Sequence, residues 1–162
     1  SETEVNELKD RVDDAICATK AAVAEGIVAG GGSALLFASR ELNNLKGDNQ
    51  DEQTGINIIK DVLKYPVVSI SNNAGFNGSL IADQLLQQNN INQGFDALNG
   101  KVCDMMKEGI IDPTKVVRNA IVGASRVAAL MLTTEGMISD EVVDDDDKKS
   151  KKSFDDEFND DI

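Results

Sequence analysis

The groups in this sequence that could do chemistry fall at four places. Asp13 and Asp14 stand together in Arg11-Val12-Asp13-Asp14, inside a stretch that reads as helix. Neighbouring carboxylates on a helix point about 100° apart, so they cannot serve one partner equally. One of them could orient a water or hold a metal ion; taken alone, both read as surface charge. The second place is the glycine run Gly30-Gly31-Gly32. It fits neither the dinucleotide fingerprint nor the P-loop spacing. Alone it is a connector, or a loop that lets something pack against bare backbone. The third is Asp112-Pro113-Thr114, which reads as a helix start with Asp112 as N-cap and Pro113 at the first helical position. The fourth is the segment 94–105, where Asn99-Gly100 between two short runs signals a hairpin.

Composition narrows what these groups can do. There is no His, which removes His-based acid–base catalysis, Ser-His-Asp triads and His metal sites. Cys17 and Cys103 stand far apart with no Cys-x-x-Cys, so neither a zinc site nor a disulfide framework is supported, and both read as reduced, mostly buried thiols. A net charge of −13 disfavours binding to nucleic acid, whose phosphates it repels. No apolar run is expected to approach a membrane span. The sequence opens at Ser1 without Met and is read as the later part of a longer chain.

The elements that must position these residues are mainly helical. Val5, Leu8, Val12, Ile16, Thr19 and Val23 recur at three- and four-residue steps, which predicts a helix running to about Gly26. Ser33 can cap a second helix carrying Leu35, Leu36, Leu42 and Leu45. A third holds Ile56, Ile59, Val62 and Leu63, and Pro66 forces a break or a fresh start. Residues 79–88 predict a further helix. A last long helix carries Val116, Ala120, Gly123, Val127 and Leu130 on one face and reads as the buried centre of the domain. With aromatics at 4% and no Trp, the core is expected to be aliphatic. From Asp144 nine acidic residues and four lysines leave a net charge of −5, and −8 on the body; such a tail is expected to be disordered.

Four motifs in order carry more than any one of them. They are KDRVDDAICATKAAVAEGIVAGGGSALL (9–36), GDNQDEQTGI (47–56), GIIDPTKVVRNAI (109–121) and LTTEGM (132–137). Together they closely resemble the C-terminal part of a group I chaperonin, the GroEL family, over residues 1 to about 142, with a leaning to the mitochondrial type.

The resemblance implies a mainly α fold. Residues 1–25 would be the C-terminal part of the intermediate domain. Residues 26–142 would be the C-terminal half of the equatorial ATP-binding domain, with a small β-hairpin, and 143–162 an acidic tail. It implies that Asp14 is the catalytic aspartate, orienting the attacking water when the intermediate domain closes over ATP. It places Gly30 and Gly31 against the nucleotide, Asp96 and Ala97 at the adenine and Asp112 at the ribose hydroxyls. The hairpin departs from the Asn-Ala-Ala of many bacterial members. The cofactors implied are ATP, Mg²⁺ with its ligand expected in the N-terminal half, and K⁺ as an optional ion. The partners implied are copies of the chain in a seven-membered homo-oligomeric ring, a co-chaperonin and unfolded proteins, with no nucleic acid and no membrane. Glu2 matches a position that contacts a neighbouring subunit. Val68 and Asn77 stand where bacterial members place an inter-ring ion pair, and neither can form one. The implied location is the mitochondrial matrix or a related organelle, with the bacterial cytoplasm as alternative. A rival reading is a chaperonin-derived helical interaction module without ATPase activity.

Overall fold

The computed structural model describes residues 1–139. The tail from residue 143, expected to be disordered, lies outside the described residues. Residues 1–125 form one compact unit, and the described residues from 126 onward belong to a second.

Helix α1 (Glu2–Glu25) starts on a capping box in which the Ser1 side chain and Glu4 satisfy each other's exposed donors. Gly26 ends it with φ 83°. Strand β1 (Ile27–Ala29) follows, then the glycine run and a short helix α2 (Ser33–Ala38). A 3-10 turn at Glu41–Asn44 separates α2 from α3 (Gln50–Val62), which is capped by Asn49. Pro66 sits in the first turn of α4 (Tyr65–Asn73), the position where a missing N–H costs nothing. Asn77 caps α5 (Gly78–Leu86) through its side-chain oxygen. The hairpin strands β2 (Gln93–Asp96) and β3 (Lys101–Asp104) pair antiparallel. Strand β4 (Ile111–Pro113) pairs antiparallel with β1, Val28 facing Asp112, and α6 (Thr114–Thr133) follows directly.

The core lies where α2, α4 and α5 meet the hairpin. Leu36, Phe37, Val67, Ile81, Ala82, Leu85 and Phe95 form one buried cluster. Arg40 ties the end of α2 to the end of α5: its guanidinium donates to the carbonyls of Leu86 and Gln88 and lies 4.8 Å from the centre of the Phe37 ring. Those carbonyls belong to a helix end that has no intrahelical donors left for them.

Several expectations give way here. The core is not purely aliphatic, because Phe37 and Phe95 are both inside it. Ser33 does not cap α2: Gly32 holds that position, and the Ser33 hydroxyl is buried without a partner. Asp112 is not a helix cap and Pro113 is not helical; both belong to β4, whose pairing with β1 holds the backbone extended until Thr114. The thiol of Cys17 is exposed and that of Cys103 half-buried. The long helix α6 contains no buried residue, with Val116 50% and Leu130 68% exposed. Its small and apolar side chains make a face that needs a partner, and among the described residues none covers it. By length and composition alone α6 could also cross a membrane, contrary to the expectation that no run approaches that. The apolar stripe of α1 is likewise open, from 46% at Ile16 to 84% at Val23.

Candidate functional site

The glycine run sits between the two small sheets. The Gly30 N–H donates to the Ile110 carbonyl at 2.9 Å, extending the β1–β4 ladder by one bond. A Cβ on Gly30 would stand 3.0 Å from that same oxygen. Gly31 has φ +65°, and a Cβ there would meet the Met105 methyl at 3.0 Å. The fold itself therefore asks for glycine at both positions, before any ligand is considered.

An open cleft of about 390 Å³ lies beside Gly31. Phe95 and Ile110 line it, with Ile70 from α4. The hairpin loop supplies Asp96, Ala97, Leu98 and Asn99 on the other side, and Glu108 completes the rim. Three of the expected residues, Gly31, Asp96 and Ala97, thus come together from segments more than sixty positions apart. The apolar residues Ile70, Phe95 and Ile110 were not expected. In sequence they look like core, and nothing in their spacing marks them as cleft walls.

Asp96 is buried, and both oxygens of its carboxylate are bonded within the hairpin. One oxygen accepts from the N–H groups of Leu98 (3.0 Å) and Asn99 (3.1 Å), and the other from the Asn99 side-chain amide (2.6 Å). These bonds, the side-chain amide of Asn99 foremost, hold its pKa below the ordinary carboxylate value. They also reset the turn. Asn99-Gly100 is not a two-residue turn; β2 and β3 are joined by the four residues 97–100, and the Gly100 N–H reaches back to the Asp96 carbonyl at 2.8 Å. Phe76 supports this arrangement from below, its ring edge-on to Phe95 with centroids 5.1 Å apart.

Asp112 does not line the cleft beside Gly31. It borders two others. One, of about 270 Å³, is lined by Gly32, Leu35, Ile70 and Val116 among others. The second, of about 170 Å³, lies between β4 and the Ala18, Thr19 and Ala22 side of α1. Burial pushes the Asp112 carboxyl above its ordinary pKa. The first of these clefts meets the cleft beside Gly31 at Ile70, which walls both, and at the Gly31–Gly32 step.

Asp14 and Asp13 are exposed on α1. Asp14 lies one turn, about 6 Å, before Ala18 on the side of the helix that faces β4. It lines none of the three clefts. Among the described residues no three His, Cys, Asp or Glu groups stand together in a way that could hold a metal ion.

Comparison with known proteins points one way. The profile described as the TCP-1/cpn60 chaperonin family matches residues 1–142. Chaperonin CPN60-like 2, mitochondrial, of Arabidopsis thaliana is 51% identical over 138 residues, 85% of this chain and 24% of that protein. Chaperonin CPN60-1, mitochondrial, of Zea mays is 54% identical over 138 residues, again 85% and 24%. The mitochondrial chaperonin homolog Hsp-60 of Caenorhabditis elegans is 54% identical over 140 residues, 86% of this chain and 25% of that protein. A crystal structure of a group III chaperonin in the open state superposes with a TM-score of 0.63 at 35% identity, covering 73% of this chain and 25% of that one. The chain thus spans about a quarter of the length of the relatives it matches.

Proposed function

The chain belongs to the TCP-1/cpn60 chaperonin family, as part of a group I subunit of the mitochondrial type, and from that premise we propose that it supplies part of the ATP site of a ring-forming folding machine. The observation that carries this reading is the pair of clefts that meet at Ile70 and the Gly31–Gly32 step. A flat apolar base suits the cleft walled by Ile70, Phe95 and Ile110. A hydroxylated sugar lying across the glycine loop would come within reach of Asp112, whose carboxylate can accept hydrogen bonds.

Asp14 is the candidate for orienting the attacking water. It lines none of these clefts, which suits a design in which a moving element brings the carboxylate to the phosphates only on closure. The described residues contain no cluster for Mg²⁺, so no step is assigned to the metal here. A larger protein of this type would act in the mitochondrion. It would assemble into a ring with copies of itself and enclose unfolded proteins with a co-chaperonin.

The test is made in the full-length subunit. Asp14→Ala should bind ATP with unchanged affinity and lose most of its hydrolysis; undiminished turnover would rule out the assignment. The rival, an interaction module without ATPase activity, would show no nucleotide binding in the parent protein.

A further inference from the structure

The cleft beside Gly31 is walled on one side by the loop Ala97–Gly100, and that loop is built around one carboxylate. On the reading that this cleft takes the base of a nucleotide, we infer that Asp96 is a positioning residue that folds the loop into a wall and does not itself touch the base.

Three bonds turn the carboxylate inward, and only one of its acceptor sites is left over. A carboxylate offers two oxygens, and here both are engaged within the loop: one by the Leu98 and Asn99 N–H groups, the other by the Asn99 side-chain amide. The Asp96 residue is 4% exposed. Turning the carboxylate toward a ligand would break three bonds within the loop, two of them to backbone N–H groups, in exchange for at most two to a base. The same bonds decide what the loop can offer. The N–H groups of Leu98, Asn99 and Gly100 all point back at Asp96, the last to its carbonyl. Those three donors are therefore spent inside the loop. Recognition of the base is left to the apolar walls Ile70, Phe95 and Ile110 and to the groups Asp96 leaves free.

A residue that touches the base and one that shapes the wall give different results when changed. A contact residue alters the preference between bases. A positioning residue weakens all of them alike. Asp96→Ala removes all three bonds at once, whereas an Asn at this position could be met by a flipped Asn99 amide. Asn99→Ala removes one of the three from the other side.

The experiment measures ATP and GTP affinity in the full-length subunit for the parent, Asp96→Ala, Asn99→Ala and the double variant. Both affinities should fall by the same factor in each single variant, about threefold to tenfold. The ratio of ATP to GTP affinity should stay fixed, and the double variant should be no weaker than Asp96→Ala alone. A changed ratio in Asp96→Ala, or an additive double variant, overturns the inference. Hydrogen exchange of the hairpin without nucleotide is the second readout. The amides of Leu98 and Asn99, which donate to the carboxylate, should be protected in the parent and exposed in Asp96→Ala; unprotected amides in the parent overturn it as well. A parent that binds neither nucleotide removes the nucleotide reading, and the inference with it.

Discussion

Arg118 grips Glu25 with two hydrogen bonds, Nη2 to Oε1 at 2.7 Å and Nε to Oε2 at 3.1 Å, joining the last turn of α1 to the start of α6 across 93 residues of chain. The guanidinium matches the carboxylate edge to edge, the geometry in which this pairing is most specific. Gly26 follows at once, with φ 83° and open space around it. The pair therefore fixes the direction in which α1 leaves the β1–β4 ladder.

Arg118→Ala should free α1 without unfolding the core, because neither partner is part of the buried cluster. Amides of residues 22–26 should exchange faster, while the core's unfolding midpoint stays where it was. High salt should imitate the variant in part, since both side chains are partly exposed and screening reaches them. Acid should do the same. Arg118 holds the Glu25 carboxyl below its ordinary value of 4.5, so the contribution is complete above that pH and is lost as pH falls through the lowered value.

Gly31→Ala tests whether the glycine run is required by the fold alone. At φ +65° an L side chain costs about 1–2 kcal/mol, and the Met105 methyl must also move. Gly109 has φ +74° with nothing within 4 Å, so Gly109→Ala isolates the backbone part. Urea unfolding should show Gly31→Ala losing more stability than Gly109→Ala. Equal losses would mean that the Met105 contact relaxes freely.

What the sequence revealed depended on how local each cause was. The first helix, the start of α4 at Pro66 and the presence of a hairpin were legible because periodicity, a proline and Asn99-Gly100 each act over a few neighbours. The β1–β4 pair was not. Ile27–Ala29 and Ile111–Pro113 are three residues each, too short to show a period, and they find each other across some eighty residues. Missing that pair turned Asp112 from a strand residue into a supposed cap. The hairpin turn was misjudged for a related reason: Asn99-Gly100 is a strong local signal, but the Asp96 carboxylate draws in Leu98 and Asn99 and lengthens the loop to four residues. The face of α6 was legible as apolar, and its burial was then assumed; periodicity reports that a face needs a partner, not where that partner is. At the candidate site Gly31, Asp96 and Ala97 do converge. Ile70 and Ile110 escaped because a cleft wall and a core share the same residue types.

Leu36→Ala measures how far the small core carries the described fold. Leu36 is fully buried among Phe37, Val67, Leu85 and their neighbours, so truncation leaves a cavity that rigid helix backbones cannot close. A loss of about 2–5 kcal/mol is expected. The equivalent truncation on α6, Leu130→Ala at 68% exposure, should cost far less in the isolated chain. If the proposal of a larger subunit holds, Leu130→Ala should become costly in the full-length protein, where a partner can cover that face. An equally small effect in both would mean that the α6 face stays open there too.

Asp112 sets stability against function. Burial raises its pKa by taking water away from the charged form. For an acid whose folded pKa lies above the unfolded one, the fold favours the neutral form. Below the ordinary value of 3.8 the group is neutral in both states and costs nothing. As pH rises from there through the raised value, the folded state is increasingly penalised, and the penalty is then constant up to neutral pH. Asp112→Asn keeps the shape and removes the charge, so it should stabilise the chain at pH 7 and make no difference in strong acid. Thermal unfolding at the two pH values checks this, and a variant less stable than the parent at pH 7 would mean that the carboxylate has a stabilising partner. If Asp112 also accepts hydrogen bonds from a ribose, the same variant should bind ATP more weakly in the full-length subunit, because an amide offers one acceptor where the carboxylate offers two. Gain in stability with loss of affinity would identify a charge kept at this position for a ligand; gain in stability with unchanged affinity would remove Asp112 from the proposed site.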